Sequence, residues 1–253
     1  MLLRALLLGL ILMTTTTLRS AESDTRVYEM RTYWAAEGKL DALHARFRDH
    51  TTKLFEKHGM TNVGYWVPLE NPDRKLIYFL AYPSREAREK SWKAFLGDPQ
   101  WQKAHRESEV DGKLVDKVEV RFLQLTDYSP AVKPSKKEER VFELRTYTTT
   151  PGNLSALNDR FRNHTLKLFE KHGMTNVAYW NLMPDQDGAD NTLVYILAHA
   201  SREQADKSFA AFRSDPDWVA ARKASEEKAG GSLTEKDGVN SLFMQATDYS
   251  PIQ

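Results

Sequence analysis

The chain has 253 residues, 28% charged and 41% hydrophobic, with 36 basic side chains against 35 acidic ones. Near-zero net charge argues against a nucleic-acid binder, which concentrates Lys and Arg on one face, and the apolar and aromatic content excludes a disordered chain. The absence of Cys removes disulfides, thiolate metal sites, Cys nucleophiles and iron–sulfur clusters.

At the N-terminus, Arg4 precedes an apolar run from Ala5 to Met13, and a Thr-rich stretch follows that ends at Ser20 and Ala21. This is the layout of a secretory signal peptide over 1–21, and the run is too short to span a bilayer. The chain is therefore expected to be secreted or periplasmic after removal of the leader, with no stable membrane anchor.

The rest is one unit written twice. Residues 26–66 and 140–180 align at a constant offset of 114, with 28 of 41 positions identical. The match continues from 76–101 to 193–218 and closes with Thr126-Asp127-Tyr128-Ser129-Pro130 against Thr247-Asp248-Tyr249-Ser250-Pro251. The expected organisation is a first repeat over 22–130, a Pro- and Lys-rich linker over 131–139 and a second repeat over 140–253.

In chain order, Val27–Trp34 alternates as a strand, with Tyr28 and Met30 on one side and Glu29, Arg31 and Tyr33 on the other. A helical period runs from Leu40 to Lys57, and Gly59 sits where a left-handed cap closes it. Strands over Asn62–Val67 and Leu76–Tyr82 flank a turn at Glu70-Asn71-Pro72-Asp73. Ser84 caps a helix to about Leu96, Pro99 starts a further short helix, and Val118–Thr126 is the last strand. The order is βαββαβ, a ferredoxin-like unit, repeated after the linker. Such a unit covers one sheet face with helices. The other face is expected to be closed by the second repeat, sheet against sheet, giving an α+β fold whose two halves enclose a shared interior within one chain.

Phe47-Arg48-Asp49-His50-Thr51, Phe55-Glu56-Lys57-His58-Gly59-Met60 and Gly64-Tyr65-Trp66, with their counterparts from Phe161 to Trp180, resemble the NIPSNAP domain. The opening Tyr28-Glu29-Met30-Arg31-Thr32-Tyr33 fits the same pattern, so the likeness covers both repeats. It implies the dimeric α/β-barrel fold, with two ferredoxin-like halves packed sheet to sheet. It implies no particular reaction; the wider barrel superfamily includes cofactor-independent monooxygenases and haem-binding enzymes.

Two histidine positions occur in both copies, His50 with His164 and His58 with His172. His50 lies on the stripe Leu43-Phe47-His50-Leu54 and is expected to point inward, either as a satisfied core histidine or as a proton-handling group. His58 falls in the last helical turn, where a cation suits the dipole. The pair lies about 12 Å apart along a helix and cannot share one ion, so no metal site is expected. Glu29 and Arg31, with Glu143 and Arg145, are expected to face the shared interior. There they form an ion-pair network, or an anion clamp with Glu29 and Glu143 as candidate bases beside His50 and His164. Tyr65, Trp66, Tyr78, Tyr179, Trp180 and Tyr195 are candidate pocket walls, or plain core. The TDYSP segments read as strand-ending turns.

No phosphate loop, nucleophile elbow or cofactor motif occurs, and no cofactor is expected. Two functions stay open. One is an exported protein that binds a small molecule or a protein partner through its barrel, with self-association into a homo-oligomer left open. The other is a cofactor-independent oxygenase or isomerase acting on a small aromatic compound.

Overall fold

The computed structural model describes residues 24–136 and 140–253; the leader read over 1–21 and the end of the linker, 137–139, lie outside the described residues. The first repeat runs β1 (Val27–Ala35), α1 (Leu40–Arg46), a π-helical turn (Phe47–Thr51), α2 (Thr52–Lys57), β2 (Thr61–Pro68), β3 (Lys75–Tyr82), α3 (Arg85–Gly97), α4 (Pro99–Ser108) and β4 (Val115–Leu125). The second repeats it as β5 (Val141–Thr149), α5 (Leu154–Arg160), a π turn (Phe161–Thr165), α6 (Leu166–Lys171), β6 (Thr175–Leu182), β7 (Thr192–His199), α7 (Arg202–Ser214), α8 (Pro216–Ala229) and β8 (Thr234–Ala246).

Local chemistry sets these boundaries twice over. Ser84 and Ser201 accept the Ala87 and Gln204 amides at 3.1 and 3.0 Å, satisfying orphan donors of α3 and α7. Asp98 and Asp215 cap α4 and α8, each ahead of a proline whose missing N–H costs the first turn nothing. Each caps its helix while also holding a histidine, with His58 and His172 Nε2 at 2.7 Å from the carboxylates.

The eight strands close into one antiparallel barrel in the order β1-β3-β2-β8-β5-β7-β6-β4. The last strand of each repeat pairs with its own first strand and with the second strand of the other repeat: β4 joins β1 to β6, and β8 joins β5 to β2. Neither half keeps an open edge. The TDYSP segments are turns, and each crosses to the other repeat. Ser250 Oγ accepts the Tyr65 amide at 2.9 Å and Ser129 Oγ accepts the Tyr179 amide at 3.0 Å. Asp248 pairs with Arg48, and Asp127 with Arg162. The linker is held too, because Ser135 donates to Pro251 at 3.0 Å and accepts from Gln253 at 2.8 Å.

The barrel interior is a packed apolar core drawn from both repeats, including Tyr28, Met30, Trp66, Phe79, Phe142, Leu144, Trp180 and Met244. This corrects the expected orientation of the first strands. Tyr28 and Met30 take the interior, while Glu29, Arg31 and Tyr33, like Glu143, Arg145 and Tyr147, face the helices. On the helix side Glu29 meets Arg88 and Trp92 of α3, polar partners that the apolar interior cluster around Tyr28 and Met30 does not contain. Trp66 lies tilted against Phe142 at 5.6 Å, and Trp180 stacks on Phe79 at 4.9 Å, so the bulkiest rings sit at the junction of the halves.

Gly64 is required by this packing. A Cβ there would lie 2.1 Å from the fully buried Trp66 ring, so that ring would have to shift. Gly64→Ala is expected to destabilise the protein by about 1–3 kcal/mol through overpacking, read as a lowered midpoint in denaturant unfolding.

Candidate functional site

Space for a ligand lies between the sheet and the helices, not on the barrel axis. In the first repeat a cleft of about 770 Å³ opens among β1, the π turn, α3, α4 and β4. The π turn shapes it. One residue more than an α-helical turn widens the inward face, Arg46, Phe47 and Thr51 all line the cleft, and the Thr51 hydroxyl donates to the Arg46 carbonyl at 3.1 Å.

Two guanidiniums form its polar wall. Arg31 has its side chain 10% exposed, with Nη1 on Glu29 and its charge 4.3 Å from the Trp92 ring. The Arg46 side chain is 5% exposed, with Nη1 2.9 Å from Glu109 and its charge 5.4 Å from the Trp101 ring. The Nε groups of both arginines are buried without a partner. Arg88, Lys93, Lys113 and Lys117 add further positive charge to the lining, against Glu89, Glu109 and Asp116. The surroundings suit an anion with an aromatic body, through charge-assisted bonds and ring contacts.

Behind the cleft, Glu29 is completely buried and fully engaged. It accepts from Arg31, from Arg88 Nη2 at 2.8 Å and Nε at 3.1 Å, from Tyr82 at 2.8 Å and from Trp92 Nε1 at 3.1 Å. Burial alone would raise its carboxyl, but the Arg88 bonds and the charges of Arg31 and Arg88 outweigh it and hold the group below its ordinary value. A carboxylate so tied is a poor general base. Glu143 stands likewise among Arg145, Ser241 and His199.

The histidines fall elsewhere. His50 and His164 are exposed, which corrects their expected inward placement: the π turns shift the helical phase, and Thr51 and Thr165 take the buried positions instead. His50 lines a separate groove of about 310 Å³ against α4. The aromatic set divides between two layers, because neighbours on a strand point to opposite faces. Trp66 and Trp180 fill the barrel, while Tyr65, Tyr78, Tyr179 and Tyr195 are buried under the helices. Of the sequence candidates, Arg31 and Arg145 line clefts. Sequence reading missed Arg46, Arg88, Trp92 and Trp101. Arg46 and Trp101 recur as Arg160 and Trp218, a signal as plain as the repeated histidines. Among the described residues no group of three or more His, Asp or Glu side chains is placed to hold a metal, and no helix is long and apolar enough to cross a membrane.

A family model for NIPSNAP matches residues 28–130 and 142–251, nearly the whole of both repeats. The chain belongs to the NIPSNAP family. No curated protein matches it. In fold it is similar to a monooxygenase-like protein of Lactobacillus acidophilus NCFM, at 11% identity and TM-score 0.56, covering 88% of this chain and 94% of that one. It is also similar to an anthrone oxidase-like protein, at 14% identity and TM-score 0.54, covering 91% and 95%. A NIPSNAP domain protein from Burkholderia xenovorans aligns with 42% of this chain and 99% of its own, at 22% identity and TM-score 0.37. Both NIPSNAP domains of this chain thus carry the same sheet-to-helix layer, with a buried glutamate beneath a cleft.

Replacing Glu29 by Gln leaves the Arg31 and Arg88 charges without their buried counter-ion. The loss is expected to be about 3–5 kcal/mol at neutral pH, measured by denaturant unfolding. Because folding lowers the Glu29 pKa, the wild-type advantage is full above its ordinary value of 4.5 and shrinks as pH falls through the folded one. Unfolding midpoints of the two proteins should therefore converge in acid.

Proposed function

We propose that this protein binds a planar aromatic carboxylate in the cleft between the sheet and the helices of its first NIPSNAP domain. The observation that carries the reading is the pair of largely buried guanidinium residues, Arg31 and Arg46, that line a cleft of about 770 Å³ beside Trp92 and Trp101. The ligand's ring would lie among Tyr33, Phe47 and Trp92, and its carboxylate would meet the arginines. Binding is favoured over turnover because Glu29 is saturated by donors and His50 lies in another groove. Export by way of the leader pattern over 1–21 belongs to this reading, which then has the ligand met outside the cytoplasm.

A second reading, oxygenation of the same bound aromatic, takes its support from the fold likeness to monooxygenase-like and anthrone oxidase-like proteins. One set of measurements addresses both. Calorimetric titration with 2-naphthoate is expected to be saturable, with the neutral 2-naphthylmethanol binding at least about tenfold more weakly, a difference of about 1.4 kcal/mol. Arg46→Met should weaken 2-naphthoate by a similar factor while thermal unfolding stays cooperative. Equal affinity for acid and alcohol, or no binding by either, would overturn the proposal. Consumption of dissolved oxygen in the presence of 1-hydroxy-2-naphthoate would move the reading to turnover.

A further inference from the structure

The second repeat holds a cleft in the matching position, about 320 Å³ in volume, and its chemistry differs. Arg31, Arg46 and Trp101 are kept as Arg145, Arg160 and Trp218, but Leu96 has become Arg213 and His105 has become Arg222. Four guanidiniums now face one carboxylate among the walls, that of Glu226.

That carboxylate is shared. In the first repeat Glu109 Oε1 stands 2.9 Å from Arg46, whereas Glu226 Oε1 stands 2.9 Å from Arg222 Nε and 3.7 Å from Arg160. Arg160, with its side chain 6% exposed, keeps a 3.3 Å bond to Ser225, and its Nε is buried with no partner. Burial correspondingly lowers its pKa against the ordinary arginine value. Arg145 is answered by Glu143 from behind. The cleft therefore presents two guanidiniums, Arg160 and the rim residue Arg213, beyond what its carboxylates neutralise.

We propose that the second repeat carries an anion site of its own, selective for an aromatic molecule with a doubly charged oxyanion head such as a phosphate monoester. Two excess guanidiniums match a dianion, and fork-shaped donors suit a phosphate's several oxygens. Phe161, Phe209 and Trp218 supply the walls for a ring. The duplication has thus yielded two clefts in matching positions, the larger carrying lysines as well as arginines and the smaller, among its cations, arginines alone. This site is independent of the first-repeat reading and stands or falls separately.

The probe is 2-naphthyl phosphate, titrated calorimetrically at pH 8, where its head is a dianion because the second phosphate pKa is about 6. Methyl 2-naphthyl phosphate, the singly charged diester, is the control. The monoester should bind at least about tenfold more tightly than the diester, a gap of about 1.4 kcal/mol, and the gap should close below pH 6. Arg160→Met should abolish this preference and leave 2-naphthoate binding at the first repeat intact, while Arg46→Met should leave the preference in place. Should Arg160→Met fail to fold, the exposed pair Arg213→Leu with Arg222→His, which installs the first-repeat residues, should reduce the monoester preference about fivefold or more. Equal binding of monoester and diester, or a preference that survives both repeat-two variants or vanishes with Arg46→Met, would overturn the assignment.

Discussion

Closure of the barrel by strand exchange is the constraint on which the remaining features rest. A single βαββαβ unit would leave one sheet face bare and two strand edges unpaired, an arrangement that invites aggregation. Here β4 and β8 each pair with a strand of both repeats, and the TDYSP arms fasten each repeat onto its neighbour. Trp66 and Trp180, packed where the halves meet, each remove roughly 150–250 Å² of aromatic surface from water. At about 25 cal/mol per Å² that is about 4–6 kcal/mol apiece before entropy is counted. Without Cys, the chain takes its cohesion from this burial and not from disulfides.

Filling the barrel with mostly apolar side chains places the Glu29 and Glu143 ion pairs in the layer under the helices. There the sheet presents Glu29 and Arg31 in one repeat and Glu143 and Arg145 in the other, and the helices answer with Arg88 and Trp92 or with no second arginine at all. Glu29 gathers two arginines, while Glu143 gathers one arginine, a serine and a histidine. The carboxylates pair with arginines that line the clefts, and the Nε atoms of Arg31, Arg46, Arg145 and Arg160 are buried without a partner. A buried charge is tolerated only with partners, so each cleft inherits its electrostatics from the layer behind it.

The fold was readable because its signals are periodic and local. Alternation marked the strands, serine and aspartate marked helix starts, and the repeat at offset 114 announced two halves before any contact was known. The site was only partly readable. Alternation puts Arg31 and Arg145 on one side of their strands without saying which side meets the helices, and packing places that side under the helices and not in the barrel. His50 was misplaced for a different reason: a 3.6-residue period assumes an uninterrupted α-helix, and the π turn at Phe47–Thr51 adds one residue and rotates everything after it. Tyr65 and Trp66 were grouped as neighbours in sequence and proved to be on opposite sides of the sheet.

By itself the sequence determined the element order and the duplication, since each follows from patterns within about ten residues or from direct repetition, and its resemblance to a family implied the barrel of two halves. Tertiary structure decided which face is inside, which guanidiniums keep a free Nε, and how one carboxylate is divided between Arg160 and Arg222. Those outcomes depend on side chains far apart in the chain meeting in a space that exists only after closure. Burial then sets a cost on every unpaired charge, and that cost distinguishes the two clefts.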